Sequence, residues 1–161
     1  MYVVHDYLAR LITYSLSVLR NKFSHTLTLF FLCTYVEQWP TFFSDLFQLI
    51  RSGTSQQSTF NRHISLFLFH LITEISGEVA DQTLKAARTY TQARHTRDGR
   101  VRDAVRERDA PMINEAVLTI IADAAERMAF SRKSGTDSTS LDEDVEVVDW
   151  GVRTFTSYVG K

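Results

Sequence analysis

The chain is poor in three residue types that shape small proteins: it has one cysteine, two prolines and six glycines among 161 residues. A single cysteine, Cys33, excludes a disulfide within the chain and predicts a protein of a reducing compartment. Cys33 lies in an apolar stretch, so we expect a small buried side chain rather than a nucleophile. Because so few prolines and glycines interrupt the sequence, long segments keep apolar residues at the three- and four-residue spacing of α-helices.

The chain also lacks an excess of charge of either sign, and it lacks a long apolar run. Its 18 basic and 19 acidic side chains give a net charge of -1, which argues neither for nor against a nucleic-acid partner. Charged residues interrupt the apolar N-terminal third, and the apolar runs fall short of the ~20 residues that span a bilayer. No membrane insertion is therefore expected.

The periodicity predicts an all-α protein with helices over residues 3–18, 20–36, 40–51, 60–76, 80–108, 111–130 and 143–159. Local signals mark the boundaries: Gly77 as a stop, Gly99 as a kink, Asp109 as an N-cap before Pro111, and Ser140 with Glu143 as a capping box. We expect residues 131–142 to form an acidic and polar loop.

The dipeptide Trp39-Pro40 separates two strongly apolar helices, and such a short connection predicts an antiparallel helical hairpin. The expected hairpin core contains Trp39, Pro40, Phe42 and Phe43, with Phe23 and Phe30 among the residues of the first helix that face the second. The alternative is an aromatic platform that stacks on bases. Helix 60–76 is apolar on nearly all sides and needs neighbours on two of them. Successive hairpins of this kind predict a stacked α-solenoid.

The sequence offers little to an enzyme. It has no glycine-rich phosphate loop and no catalytic constellation, so we expect no catalytic residue, no cofactor and no metal site. His63 and His70 are seven residues apart on one helix, but no cysteine or carboxylate lies at chelating spacing. We therefore expect them to be structural histidines.

Charge is segregated along the chain, which can indicate an interaction surface. Residues 85–108 hold eight basic side chains against three acidic ones, whereas residues 137–149 hold six acidic side chains and no basic one. Guanidinium groups suit phosphate oxygens. The candidate RNA-binding residues are Arg94, Arg97, Arg100, Arg102 and Arg106. The alternative is a solvated helix whose arginines pair with acidic neighbours, such as Asp98 with Arg102.

Several stretches resemble a known family of nuclear transport receptors. RNKFSHTLTLFF (Arg20 to Phe31) and YVEQWPTFF (Tyr35 to Phe43) are similar to an exportin segment, although Phe23-Ser24-His25 and Val36 depart from its usual residues. FLFHLITEISGEVADQ (Phe67 to Gln82), VRDAVRERDAPMINEAV and VVDWGVRTFTSYVGK are similar to the tRNA exportins of the importin-β superfamily. No resemblance is identified in residues 1–18.

The resemblance implies a carrier that binds tRNA together with Ran in its GTP form, contacts nuclear pore proteins and shuttles between nucleus and cytoplasm. Asp45 and Gln48 are the candidate partner-facing residues. Under this interpretation residues 1–18 are a divergent N-terminal helix, 19–130 form exportin-like HEAT repeats, and 143–161 begin a following repeat. The alternative is a generic helical-repeat scaffold or an exportin for protein cargo, including an inactive truncated relative.

Overall fold

The structure is a computed structural model that describes residues 17–51, 58–80, 91–134 and 138–159. Within these ranges every regular element is a helix, which confirms the all-α prediction. The helices are α1 (Ser17–Thr34), α2 (Phe42–Arg51), α3 (Ser58–Ala80), α4 (Gln92–Ala104), α5 (Ala110–Ser134) and α6 (Ser138–Val159), with a π turn at Val105–Asp109 between α4 and α5. The helix expected over residues 3–18 lies almost entirely outside the described ranges.

Helix α3 is the centre of the packing. It contacts α1, α2, α4 and α6, and a run of its residues from Ile64 to Phe69 is buried along with Leu71, Ile72 and Ile75. A helix with apolar residues on nearly all sides is stable in water only when neighbours cover them. Each fully buried Leu, Ile or Phe side chain contributes roughly 1.5–3 kcal/mol by leaving water. The prediction that this helix needs neighbours on two sides is confirmed.

Two polar residues of α1 are buried, and the helix remains regular around them. The hydroxyl groups of Ser24 and Thr28, both buried, donate to the carbonyl oxygens of Arg20 and Ser24 at 2.9 Å each. A short hydroxyl side chain can satisfy its own donor on the preceding turn of the helix. The helix therefore presents small buried side chains that let α3 approach closely.

The turn after α1 is built by side chains as well as by the backbone. The amides of Gln38 and Trp39 donate to the carbonyl of Thr34 at 2.7 and 2.9 Å and close the end of α1. The Trp39 indole and the Thr41 hydroxyl then donate to one carboxylate oxygen of Asp45, at 2.6 and 3.1 Å. The carbonyl of Thr41 accepts from the Asp45 amide, so Thr41 immediately precedes α2, which starts at Phe42, two residues after the expected start at residue 40.

Helices α1 and α2 meet only near this turn. The Phe31 ring lies 4.7 Å from the Phe42 ring and 5.5 Å from the Phe43 ring. Phe23, which was expected to face α2, instead stacks on Phe67 of α3 at 5.4 Å, and Phe30 is 53% exposed. Length explains Phe23, because 18 residues make a helix of about 27 Å whereas the ten residues of α2 reach only about 15 Å. Phe30 points about 100° away from its neighbour Phe31, the residue that contacts α2.

The two helices expected over residues 80–108 and 111–130 form one helical path from Gln92 to Ser134, so that boundary prediction is wrong. The amide of Ala110 donates to the carbonyl of Val105, five residues earlier, which defines the π turn. Pro111 follows this turn, where the regular i to i−4 bonding is already interrupted and its missing N–H costs little. Asp109 lies inside the path and caps nothing.

Three other boundary signals were also misread. Gly77 lies within α3 and does not end it, and α4 continues through Gly99, where a kink was expected. Ser140 lies inside α6, where its hydroxyl accepts a hydrogen bond from Arg62 instead of capping the helix. Residues 131–134 and 138–142 of the expected loop are helical, in α5 and α6, so the loop prediction is wrong there; residues 135–137 lie outside the described ranges.

Candidate nucleic-acid interface

Two of the candidate RNA-binding arginines, Arg94 and Arg97, pair with buried carboxylates, and Arg94 thereby links α4 to α3. Thr91 caps α4 by accepting from the Arg94 amide, and this cap places Arg94 and Arg97 one turn apart. Arg94 donates to Glu78 of α3 at 2.9 Å, and Arg97 donates to Asp98 at 2.8 Å. Both carboxylates are buried, and Asp98 is completely so. Removing a partner from a buried carboxylate is strongly destabilising, so these two guanidinium groups stabilise the fold.

Two further arginines form exposed pairs. Arg100 lies 3.2 Å from Glu37, and their side chains are 60% and 72% exposed. Arg102 lies 3.0 Å from Asp103, its neighbour in sequence. Exposed ion pairs are worth only ~0–1 kcal/mol and are screened by salt, so a phosphate group can replace the carboxylate at little cost.

Arg106 is exposed on the π turn. The structure therefore divides the five candidates into a structural pair, Arg94 and Arg97, and an outward set, Arg100, Arg102 and Arg106. The solvated-helix alternative expected Asp98 to pair with Arg102. In the structure Asp98 pairs with Arg94 and Arg97 instead. That the outward set binds RNA stays a prediction.

A cluster that the sequence did not reveal anchors the π turn. The hydroxyl of Tyr35 donates to Oδ2 of Asp109, and both residues are buried. The Arg108 guanidinium lies over the Tyr35 ring, 4.8 Å from its centroid, and 3.5 Å from the same carboxylate oxygen. Burial and the Asp109 carboxylate raise the pKa of Tyr35 well above its usual value, so the hydroxyl stays a donor. Tyr35 and Asp109 are 74 positions apart, so no pattern of neighbouring residues in the sequence predicts this contact.

A second unanticipated cluster joins α3, α5 and α6. The Arg62 guanidinium donates from Nε and Nη2 to the two carboxylate oxygens of Asp144 at 2.8 Å each, and Arg127 lies 2.9 Å from Asp144. Arg62 also lies 3.3 Å from Glu143. Burial alone would raise the pKa of Asp144, but the hydrogen bonds from Arg62 and Arg127 outweigh it and hold that pKa below its usual range. The acidic run of residues 137–149 was the available signal, but it was interpreted only as segregated charge.

The histidines lie against protein side chains. Nε2 of His70 is 3.4 Å from Nη2 of Arg20, and its ring centroid is 4.0 Å from that of Trp150. Burial first, and the positive charge of Arg20 second, lower the pKa of His70 to about 4. Within the described ranges no group of three metal-ligating side chains comes together.

Cys33 is exposed, so the expectation of a buried thiol is wrong. Its two predecessors, Phe31 and Leu32, are buried, and one further residue turns the side chain by about 100° away from them. The Cys33 sulfur lies 3.5 Å from Nη1 of Arg97.

The aromatic residues near the turn differ in exposure. Phe42 and Phe43 are buried, so their faces are closed to a nucleic-acid base. Trp39 is half-buried, with its ring 4.9 Å from that of Phe42 and its indole N–H on Asp45. Pro40 is exposed and therefore does not belong to the hairpin core. Asp45 is used within the turn, Gln48 is exposed, and a partner-facing role for either stays a prediction.

Stacked helices without a strand in the described ranges, packed around a central apolar helix, define a HEAT-type helical solenoid. The chain belongs to the exportin 1-like protein family, whose family model matches residues 16–158. No helix among those described is both long enough and apolar enough to cross a bilayer. No solved structure matches the chain.

Among curated proteins, the chain is similar to Exportin-T of several fungi. Exportin-T of Laccaria bicolor is 61% identical over 163 residues, which cover 99% of this chain and 15% of the relative. Exportin-T of Coprinopsis cinerea is 64% identical over 143 residues, which cover 88% and 13%. Exportin-T of Pyricularia oryzae is 30% identical over 132 residues, which cover 81% and 12%. The chain thus spans only about a seventh or an eighth of the length of these relatives.

Proposed function

We propose that the chain is a segment of a nuclear export receptor that carries tRNA from nucleus to cytoplasm together with Ran in its GTP form. The observation that carries this proposal is the 61–64% identity to two proteins named Exportin-T, over nearly the whole chain. Shuttling between the two compartments and contact with nuclear pore proteins follow from the same role. The function is transport by binding, with no catalytic step.

Within that role we assign tRNA phosphates to the outward set of arginines, Arg100, Arg102 and Arg106. Their guanidinium groups stand on one helical path, and two of them are held only by exposed carboxylates. Exchanging such a partner for phosphate costs little, and each phosphate contact adds affinity through counterion release. Arg94 and Arg97 have a structural role in this assignment, because each pairs with a buried carboxylate.

The test compares two triple variants of equal charge. Arg100, Arg102 and Arg106 are changed to Gln in one variant, and Arg132, Lys133 and Arg153 are changed to Gln in the control. Fluorescence anisotropy with labelled tRNA, at several salt concentrations and with or without GTP-bound Ran, gives the affinity and its salt slope. We expect the first variant to lose up to about three units of slope and the control to keep it. Equal losses would show that only net charge matters.

A second candidate, a scaffold that binds proteins, is favoured by one face of α6. Its apolar residues follow the four- and three-residue spacing of a helix-packing seam: Leu141, Val145, Val148, Val152 and Phe155. Val145 and Val152 are 45% and 48% exposed. The exposed acids Asp142, Glu146 and Asp149 flank this seam and favour a partner helix with basic flanks. Absence of tRNA binding at every salt concentration would favour this candidate.

A further inference from the structure

The π turn between α4 and α5 changes the direction in which side chains point on its two sides. Before the turn, Asp98 and Val101 are buried; after it, the buried residues are Ile113, Ala116, Val117, Ile120 and Ala124. In an uninterrupted α-helix, at about 100° per residue, the centres of these two buried faces would differ by roughly 90°. One extra residue taken up by the π turn reduces the difference to roughly 15°.

The extra residue thus lets one long helix keep a single buried face. Without it, α4 would turn Asp98 and Val101 away from α3 whenever α5 packed correctly against α6. The ion pair between Arg94 and Glu78, which links α4 to α3 at 2.9 Å, depends on the same alignment. The directions of Arg100 and Arg102 relative to α3 are fixed by it as well, because both residues are in α4.

The position of the extra residue along the helix is held by one contact from outside. A π turn can in principle form at neighbouring positions, because each position costs one irregular turn. At Val105–Asp109 the last residue of the turn accepts the Tyr35 hydroxyl, and Arg108 covers the Tyr35 ring. Tyr35 belongs to the turn after α1, which the bonds to the carbonyls of Phe31 and Thr34 hold in place.

We propose that the π turn is a one-residue insertion that aligns the two halves of the long helix, and that the Tyr35–Asp109 hydrogen bond fixes the insertion at Val105–Asp109. Tyr35 and Asp109 are then positioning residues for the arginine surface of α4. The alignment itself is independent of what that surface binds, so a failure to bind RNA leaves the proposal standing.

The first experiment removes single exposed residues from the 161-residue chain. Glu107 is removed from the π turn, and Ala122, exposed in the regular part of α5, is removed as the matched control. We expect the chain without Glu107 to melt cooperatively within about 8 °C of the parent, because a regular α-helix then keeps both buried faces aligned. The chain without Ala122 should lose cooperative melting, because residues beyond it turn by about 100°. Equal damage from the two deletions would overturn the alignment.

The second experiment tests the bond itself. Tyr35→Phe removes one hydroxyl, and hydrogen exchange is measured for the amides of residues 105–113 and, as an internal control, 117–124. We expect exchange in the first group to rise about tenfold or more, since a hydrogen bond to a charged acceptor has been lost. Asp109→Asn, which keeps an oxygen acceptor, should raise it less. An unchanged rate in Tyr35→Phe, or a uniform rise across both groups, would overturn the role of Tyr35.

Discussion

Arg62 of α3 donates two parallel hydrogen bonds of 2.8 Å to Asp144 of α6, and both side chains are buried. Parallel bonds from one guanidinium to one carboxylate fix direction as well as distance. A second guanidinium, that of Arg127 in α5, lies 2.9 Å from the same carboxylate. A single acidic side chain therefore holds α3 against the consecutive helices α5 and α6 in one mutual arrangement.

Asp144→Asn should destabilise the chain by about 3–5 kcal/mol, because it removes the partner of two guanidinium groups, one of them buried. The matched control is Asp142→Asn, an exposed acid on the same helix that should change stability by less than about 0.5 kcal/mol. Urea unfolding monitored by circular dichroism gives both values. Similar effects from the two substitutions would contradict a structural role for the cluster.

The same carboxylate predicts a dependence of stability on acid. Its pKa is lowered in the folded state, so below the ordinary value of 3.8 the unfolded chain takes up a proton more readily than the folded chain. The stability that Asp144 contributes is present above pH 3.8 and is lost as pH falls toward its folded pKa. As pH is lowered below 4, the urea concentration at the unfolding midpoint should therefore decrease for the parent chain. It should decrease less steeply for Asp144→Asn.

His70 gives a second acid-sensitive contribution in a different pH range. Its pKa falls from 6.5 to about 4 on folding, so the unfolded chain binds more protons between these values. Stability should rise with pH across that interval, by no more than about 3 kcal/mol because the ring is only half-buried. His70→Gln should flatten the profile between pH 4.5 and 6.5. A parent profile that is already flat there would contradict this assignment.

The sequence was informative where neighbouring residues decide the structure. Apolar spacing predicted that α3 is covered on several sides, and Trp39-Pro40 predicted a turn between two helices. The sequence failed where distant residues decide: Arg62 and Asp144 are 82 positions apart, and Tyr35 and Asp109 are 74 apart. Asp109 before Pro111 has the form of a helix start, but in the structure Asp109 accepts a buried hydrogen bond from Tyr35 and lies in a π turn through which the helix continues. Helix-boundary signals depend only on neighbouring residues, so they cannot predict a hydrogen bond between residues 74 positions apart.

Trp39→Ala should destabilise the chain by about 2–3 kcal/mol, less than the loss of a fully buried aromatic, because the ring is half-buried. The loss includes its contact with Phe42 and its bond to Asp45. Pro40→Ala is the control: Pro40 is exposed, and its ring mainly restricts the unfolded chain, so the effect should stay within about 1 kcal/mol. RNA affinity per folded molecule should not change in either variant; a selective loss in Trp39→Ala would restore the stacking platform.

The division of the arginines is open to a direct test of stability. Arg94→Gln and Arg97→Gln together should destabilise the chain by several kcal/mol, because Glu78 and the completely buried Asp98 lose their partners.

Arg100→Gln and Arg102→Gln together are the control, and they should cost no more than about 1–2 kcal/mol, since both pairs are exposed. High salt should reduce the small loss of stability caused by the Arg100 and Arg102 substitutions. It should leave most of the loss caused by the Arg94 and Arg97 substitutions, because buried ion pairs are screened much less. Thermal unfolding at 0.05 and 0.5 M salt separates the two. If both double variants lost the same stability and both losses vanished in salt, Arg94 and Arg97 would also be surface residues, and all five arginines would again be equal candidates for the phosphate surface.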